Sequence, residues 1–176
     1  MRSDYKRPPL MSRTKWTVLI TVLALIIVLL LNAEYRSMQA PRWSEEAQIM
    51  AEVKQKASLA SVDEAHKYVW DRTVWVTRGV NGSGEAFYIW YGDGKVLSTI
   101  PASEAQTAKS IRDRLLAQSP DVDITHSISG MINGEPAWEL LYSRIENGAR
   151  KYFYDFYDFR SGNLIETYRL PAKYST

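Results

Sequence analysis

The stretch "KYFYDFYDFRSGNLIETY", Lys151 to Tyr168, contains residues whose types could do chemistry. Asp155 and Asp158 lie among six aromatic residues between Tyr152 and Phe159. Two carboxylates in an aromatic pocket could act as the acid pair of a glycoside hydrolase. In a β-strand, however, residues three apart point to opposite faces, so these two carboxylates could not flank one bond. The spacing predicts a structural strand, with Asp158 beside a turn where it accepts backbone hydrogen bonds.

The other reactive residue types are also spaced unlike a catalytic or metal site. His66 and His126 are the only histidines, far apart in sequence and each in a predicted strand, without the HxxxH-like spacing of a metal site. The serines lack the G-x-S-x-G pattern of a hydrolase nucleophile. The segment "GVNGSG" lacks the lysine-serine/threonine ending of a phosphate loop and is predicted to be a hairpin turn. We therefore expect no catalytic residue, no cofactor and no metal.

Aromatic residues on both faces of the predicted strand allow two interpretations. One face could pack on a helix while the other packs against a neighbouring repeat. Alternatively, an outer aromatic face could bind a protein or a glycan, since tyrosine and tryptophan are enriched at interfaces. The second interpretation gives five candidate partner-binding residues: Tyr88, Trp90, Tyr152, Tyr154 and Phe156.

Charge and cysteine content exclude several function classes. The chain has no cysteine, which excludes disulfides, a thiol nucleophile and cysteine-ligated zinc. The net charge of +2 is unevenly distributed, because residues 1–15 hold five basic residues and one acidic residue. From Glu34 onward there are 17 basic and 19 acidic residues. The bulk of the chain therefore has no basic field for nucleic acid.

An uncharged run from Trp16 to Ala33, "WTVLITVLALIIVLLLNA", predicts a membrane helix. Eighteen helical residues span about 27 Å, close to the roughly 30 Å hydrocarbon core of a bilayer. The basic cluster before the run places the N-terminus in the cytoplasm and the bulk outside. A cleaved signal peptide is the alternative, but its apolar core is usually shorter, at about 7–15 residues, and no good cleavage site follows.

After the membrane helix the pattern predicts a tether and two similar units. Pro41 is expected to end the membrane helix, and a new helix is expected from Ser44 to about Ala60. A second helix is predicted from a capping box at Ser103 and Gln106 to about Gln118. The predicted organisation is a cytoplasmic tail at 1–15, a membrane helix at 16–33, a tether at 34–43, and repeats at 44–101 and 102–176.

Alternating segments after each predicted helix indicate antiparallel strands. Turn signals separate them, among them Gly92-Asp93-Gly94, Asn133-Gly134 and Asn147-Gly148. The segments "YIWYGDGKVLST" and "YDFYDFRSGNLIET" share an aromatic strand, a glycine turn and an aliphatic strand, which indicates an internal duplication. The predicted fold class is α+β, in which each unit packs one helix on a curved antiparallel sheet of three to four strands.

The segment "AWELLYSRIENGARKYFYDFYDFRSGNLI" resembles the PepSY-type pattern of a tryptophan strand, a long hairpin and a "YDF-x-x-G-x-L/I" turn at Tyr157 to Leu164. With the membrane helix and "YIWYGDGKVL" in the preceding repeat, residues 16–170 resemble the TseB-like (YpmB) family of Bacillus-type bacteria. The resemblance implies tandem cystatin-like units outside the membrane, and regulation of cell-wall elongation through a penicillin-binding transpeptidase. The family pattern supplies no catalytic residue.

Three functional hypotheses follow. The first is a non-enzymatic, membrane-anchored regulator that binds a cell-wall synthesis enzyme. The second is a module that binds cell-wall glycan through exposed aromatic residues. The third is a protease inhibitor or chaperone-like module, which rests on fold analogy alone.

Overall fold

The structure, a computed structural model, describes residues 13–171. For residues 13, 14 and 36–43 it describes the backbone only. The chain divides into two compact units, Met1–Glu45 and Glu46–Thr176. The elements in chain order are α1 (Arg13–Lys56), β1 (Ser61–Val69), β2 (Thr73–Val80), β3 (Ala86–Gly92), β4 (Lys95–Pro101), α2 (Ala108–Gln118), β5 (Asp123–Ile132), β6 (Glu135–Glu146), β7 (Ala149–Asp158) and β8 (Leu164–Arg169).

The first unit contains an apolar helical segment. Lys15–Tyr35 comprises 21 residues and is long and apolar enough to cross a membrane, by length and composition. Pro41 does not end the helix as the sequence predicted, because the backbone of α1 is helical through residues 34–43. A proline inside a helix removes one backbone hydrogen bond but does not always break it, and the helix extends on both sides here. The division of the chain into domains predicted from the sequence stays a prediction.

The second unit contains two four-stranded antiparallel sheets. Their strand orders are β1-β2-β3-β4 and β5-β6-β7-β8, so every strand pairs with its neighbour in sequence. The tight hairpins have the expected chemistry: Asn133 and Gly134, and likewise Asn147 and Gly148, take positive φ angles. That conformation matches the twist of a two-residue hairpin and is cheapest for glycine and asparagine. The predicted α+β class with an N-terminal apolar helix is confirmed.

The registers of the two sheets match in detail. Each sheet has one extra residue in its first strand and one in its last strand, which makes a bulge in each edge strand; the extra residues are Asp63, Leu97, Thr125 and Ile165. When the bulges are aligned, Trp75 corresponds to Trp138 and Tyr91 to Tyr157. In the same alignment, two buried carboxylates of the second sheet correspond to aliphatic residues of the first sheet. Asp155 corresponds to Ile89, and Glu139 corresponds to Val76.

Each sheet packs one face on a helix. The last turns of α1, through Val53, cover the face of the first sheet that carries Trp75, Ile89 and Tyr91. Helix α2 buries Ile111 and Leu115. These two belong to the larger core, which also contains Trp138 and Tyr157 of the second sheet. The spacing of four between the buried positions gives each helix one apolar face, as the sequence predicted.

Helix α2 begins later than the sequence predicted. Its N-cap is Thr107, whose hydroxyl accepts a 3.0 Å hydrogen bond from the Ser110 backbone, so the capping box at Ser103 is not used. Gln106 instead makes tertiary contacts, donating its backbone N–H to Phe159 and accepting from the Trp138 indole at 3.0 Å. These contacts hold residue 106 out of the helix. The predicted end near Gln118 is correct.

Candidate functional site

The remaining faces of the two sheets pack against each other and form one core. Trp90 of β3 and Phe156 of β7 are both fully buried in it. The Trp90 indole donates a 2.6 Å hydrogen bond to the Gly130 carbonyl of β5. Its ring meets Phe159 edge-on, with centroids 4.7 Å apart. The aromatic residues on this face therefore hold the two sheets together.

Polar side chains also cross this junction. Tyr68 of β1 donates a 2.6 Å hydrogen bond to Glu139 of β6, and both side chains are buried. Burial, followed by the hydrogen bond to Glu139, raises the pKa of Tyr68, so the phenol remains a donor. His126 Nε2 donates to the other carboxylate oxygen of Glu139 at 3.0 Å. His66 Nε2 donates to the Ser129 carbonyl at 2.8 Å.

The five candidate partner-binding residues divide between interior and surface. Trp90 and Phe156 have no exposed surface, so neither can contact a partner while the sheets are packed. Tyr88 is half-buried and packs edge-on against Phe159 at 5.0 Å. Tyr152 and Tyr154 are half-buried on the same face of β7. The prediction that Trp90 and Phe156 belong to an outer, partner-binding face is therefore wrong. Both side chains are covered by the other sheet, as in the packing interpretation.

Two further residues join the half-buried tyrosines: Tyr168, which the sequence did not single out, and Trp70, which the sequence favoured as a core residue over a ligand cage. Trp70, in the β1–β2 turn, meets Tyr154 and Tyr168 edge-on, each with ring centroids 5.3 Å apart. Tyr168 lies on β8 opposite Tyr154. We call Trp70, Tyr152, Tyr154 and Tyr168 the aromatic rim. The grouping of half-buried rings from the β1–β2 turn, β7 and β8 could be found only once the sheets were placed, since Trp70 is distant in sequence.

The two aspartates of the aromatic strand are held apart in unrelated networks. Asp155 is buried and accepts hydrogen bonds from Thr167 Oγ1 at 2.6 Å and from the Tyr157 hydroxyl at 3.2 Å. Asp158 accepts from the backbone N–H and the hydroxyl of Ser161, at 2.6 and 2.7 Å. Burial acts to raise the pKa of Asp158, but these bonds outweigh it and lower the pKa. The turn contact predicted for Asp158 is present.

The other sites weighed from the sequence have structural partners. In "GVNGSG", the Asn81 side chain accepts hydrogen bonds from the backbone of Ser83 and Glu85 at 2.9 and 3.0 Å, so the segment is a hairpin turn. Across residues 13–171, no three histidine, aspartate or glutamate side chains are grouped as metal ligands would be. The aromatic rim leaves parts of its rings accessible, and half-buried tyrosine and tryptophan rings combine an apolar face with a polar group.

The comparisons with known proteins agree with this geometry. Residues 50–92, from α1 into β3, match the family described as "Cell wall elongation regulator TseB-like domain". Residues 50–92 are thus similar to TseB-like domains. Over 158 residues it is 25% identical to the "Probable cell wall elongation regulator TseB" of Bacillus subtilis (strain 168), covering 86% of this chain and 93% of that relative. The family resemblance predicted from the sequence is thus confirmed.

A solved structure has the same fold as this chain. The YpmB protein from Bacillus subtilis matches with a TM-score of 0.57 and 19% identity, over 68% of this chain and 93% of that one. The likeness shows that the two chains share a fold. The matched family and the Bacillus subtilis relative are both described as cell-wall elongation regulators.

Proposed function

We propose that the protein is a non-enzymatic, membrane-anchored regulator of cell-wall elongation that acts by binding a penicillin-binding transpeptidase. The similarity to a cell-wall elongation regulator over 86% of the chain is the observation that carries the proposal. The two carboxylates of the aromatic strand support the non-enzymatic part, because each is used in its own hydrogen-bond network. In the proposal the two sheets and their helices are tandem cystatin-like units, consistent with their matching bulges.

In this proposal Lys15–Tyr35 is a retained signal-anchor helix in the membrane of a Gram-positive cell, with the N-terminus in the cytoplasm. The positive flank, with five basic residues within positions 1–15, supports that orientation. Residues 34–43 can span no more than about 35 Å even if fully extended. The folded part therefore works near the membrane surface, where a transpeptidase with its own anchor would be at high effective concentration.

The aromatic rim is the proposed contact surface, and Tyr152 and Tyr154 keep the role expected for them. Both are half-buried, so each already has a fixed ring and still presents surface. A pre-ordered tyrosine loses little conformational entropy on binding, which favours it at interfaces. Trp70 and Tyr168 extend the surface across both sheets.

Pull-down of the tagged full chain from detergent-solubilised membranes, followed by mass spectrometry, tests the proposal. We expect a transpeptidase to be enriched with the wild type and reduced with Tyr152→Ser. The matched control is Ile145→Ser, because Ile145 is 59% exposed on β6 and is not part of the rim. Retention on purified cell-wall glycan without any transpeptidase would replace the proposal with the glycan-binding alternative. Enrichment of a protease would favour the inhibitor alternative.

The anchor provides a second test. A version that begins at Ser44 and is secreted should complement a deletion strain poorly at normal expression, because it loses the tethered concentration. The control is the full chain with its apolar segment replaced by an unrelated single-pass helix, which should complement. Full complementation by the secreted version at the same expression would contradict the membrane-proximal part of the proposal.

A further inference from the structure

The two sheets end in four edge strands, and all four carry devices that discourage pairing with another chain. Each has a bulge, which locally disrupts the ladder and twists the edge. The bulge in β8 lies at Ile165, near the beginning of the strand. The rest of β8, from Glu166 to Arg169, pairs with β7 in regular register. Four of the six residues of β8 therefore keep the regular ladder geometry that another strand could pair with.

The outer edges of β1 and β5 are occupied or charged. On β5 the Ser129 carbonyl already accepts the His66 side chain at 2.8 Å. On β1, Trp70 N donates to the Arg72 carbonyl at 3.2 Å, which marks a hydrogen-bonded pair. Since such pairs alternate along an antiparallel ladder, Lys67 directs its backbone outward. A lysine at the centre of an edge strand opposes the addition of another strand.

The last strands of the two sheets differ at one decisive position. Ala102 N donates to the Ala86 carbonyl at 2.8 Å, and alternation leaves Thr99 and Pro101 of β4 facing outward. In the second sheet Leu170 N donates to the Tyr152 carbonyl at 2.9 Å. The same alternation leaves Thr167 and Arg169 facing outward on β8. Pro101 has no backbone N–H, so it cannot donate to a strand added at the outer edge of β4. Arg169, at the corresponding position of β8, has an N–H that can.

We propose that β8 is a docking strand, and that an extended segment of the partner protein adds to its outer edge. The backbone N–H and C=O groups of Thr167 and Arg169 would pair with that segment, which extends the second sheet by one strand. This inference rests on the proposed function, since it gives the binding mode by which a protein partner is held. It also places the added strand beside Tyr168, a member of the aromatic rim.

The side chains around β8 define the chemistry of the segment. On one face Arg169 and Arg144 share a single carboxylate, that of Glu146, at 3.3 and 2.7 Å. Two guanidinium groups around one carboxylate leave an excess of positive charge at the Arg169 end of that face, whereas the buried Asp155 carboxylate is bonded to Thr167. On the opposite face Tyr168 and Trp70 present half-buried rings. Because side chains alternate along a strand, the partner segment alternates acidic residues facing the arginines with apolar residues facing the rings.

A synthetic peptide of about eight residues that alternates valine and glutamate is the probe, because it has the period and charge of such a segment. It is added to the isotope-labelled full chain in detergent micelles, and amide exchange is followed by NMR. We expect slower exchange at Thr167 and Arg169. A valine–lysine peptide should bind more weakly, and a valine–glutamate peptide with every amide N-methylated, which has no N–H on either edge, should not protect these amides. Equal protection by the N-methylated peptide, or none by any peptide, overturns the inference.

Two variants separate the backbone from the charge. Arg169→Pro copies Pro101 of the first sheet and should weaken binding of the valine–glutamate peptide at least about tenfold, through loss of a backbone donor. Arg169→Ala keeps the N–H, so it should retain protection at Thr167 but lose the preference for glutamate over lysine. Wild-type affinity in a folded Arg169→Pro protein overturns the inference. If that variant does not fold, the N-methylated peptide still decides.

Two further results test whether a second copy of the chain binds β8, and separate the docking-strand inference from the proposed function. Protection of Thr167 and Arg169 that rises with protein concentration, without peptide, would mean that a second copy of the chain pairs with β8, which overturns the inference. In the membrane pull-down, equal capture of a transpeptidase by wild type and folded Arg169→Pro also overturns it, while the proposed function stands. Capture of no transpeptidase by wild type contradicts the proposed function itself.

Discussion

Tyr68 and Glu139 meet across the junction between the two sheets, where the tyrosine hydroxyl lies 2.6 Å from a carboxylate oxygen. Glu139 is only 6% exposed and corresponds to Val76 of the first sheet. Its second oxygen accepts from His126. A buried carboxylate is tolerable only while its oxygens are hydrogen-bonded, so removal of one donor leaves part of the cost uncompensated.

Tyr68→Phe should therefore lower the free energy of unfolding by about 1.5–3 kcal/mol, the range for a hydrogen bond to a charged group. Urea unfolding of the folded unit in the full chain, followed by fluorescence, measures the change. Tyr152→Phe is the matched control, because Tyr152 is a half-buried tyrosine on the same face of the second sheet. Equal losses for the two variants would show that Glu139 draws no specific stabilisation from Tyr68.

Gly130→Ala should destabilise the junction by steric conflict. A Cβ at residue 130 would lie 2.4–2.8 Å from atoms of the Tyr68 ring, which real structures do not allow. Overpacking of this kind costs about 1–3 kcal/mol. Gly82→Ala is the control, because nothing lies within 4 Å of its Cβ position. Combining Gly130→Ala with Tyr68→Leu should cost less than the sum of the single changes; strict additivity would argue against the clash.

Asp158→Asn should cost about 1 kcal/mol at neutral pH, through weaker acceptance of the Ser161 hydrogen bonds. The pKa of Asp158 is lowered from its ordinary value of 3.8. Its ionised form therefore stabilises the fold fully above that value, and the contribution is lost as pH falls below 3.8 through the lower pKa of the folded state. Urea unfolding at about pH 7 and about pH 3 should show a smaller difference between wild type and variant at the lower pH. A difference that grows on acidification would contradict this assignment.

Asp155→Asn and Asp158→Asn should each keep the cell-wall function of the wild type, provided that the variant protein folds. The Asp155 side chain accepts from Thr167 and Tyr157, and an asparagine can keep one of those bonds, so we expect a loss of about 1 kcal/mol. Complementation of a deletion strain, together with melting of the purified variants, measures both effects. A well-folded Asp155→Asn protein without function would revive an enzymatic role for the aromatic strand.

Topology is tested on intact protoplasts. If Lys15–Tyr35 anchors the chain with residues 1–15 inside, external protease should remove the bulk of the protein. A tag at the N-terminus should survive on a short fragment, and lysed protoplasts serve as the control for its accessibility. Full protection of the bulk, or a mature chain that begins after Ala33 or Ala40, would contradict a retained anchor.

Local patterns in the sequence were sufficient for most elements, and tertiary contacts decided the rest. The strand "TVWVTRGV" matches β2, and the Asn-Gly pairs lie in the predicted turns, because pleat and positive φ depend on neighbouring residues. The start of α2 was misplaced, because Gln106 bonds to residues far along the chain. Two of the four rim residues, Tyr152 and Tyr154, could be placed on one face of a strand from the alternation of side chains. Alternation within one strand does not predict which residue of the other sheet packs beside them.

The core that Trp90 and Phe156 share makes the folding of each sheet depend on the other. Each buried ring comes from a different sheet, so either sheet on its own would expose a large apolar face to water. The two sheets are therefore not independent folding units. The two halves should unfold in a single cooperative transition, and a chain cut between β4 and α2 should aggregate unless both pieces are made together.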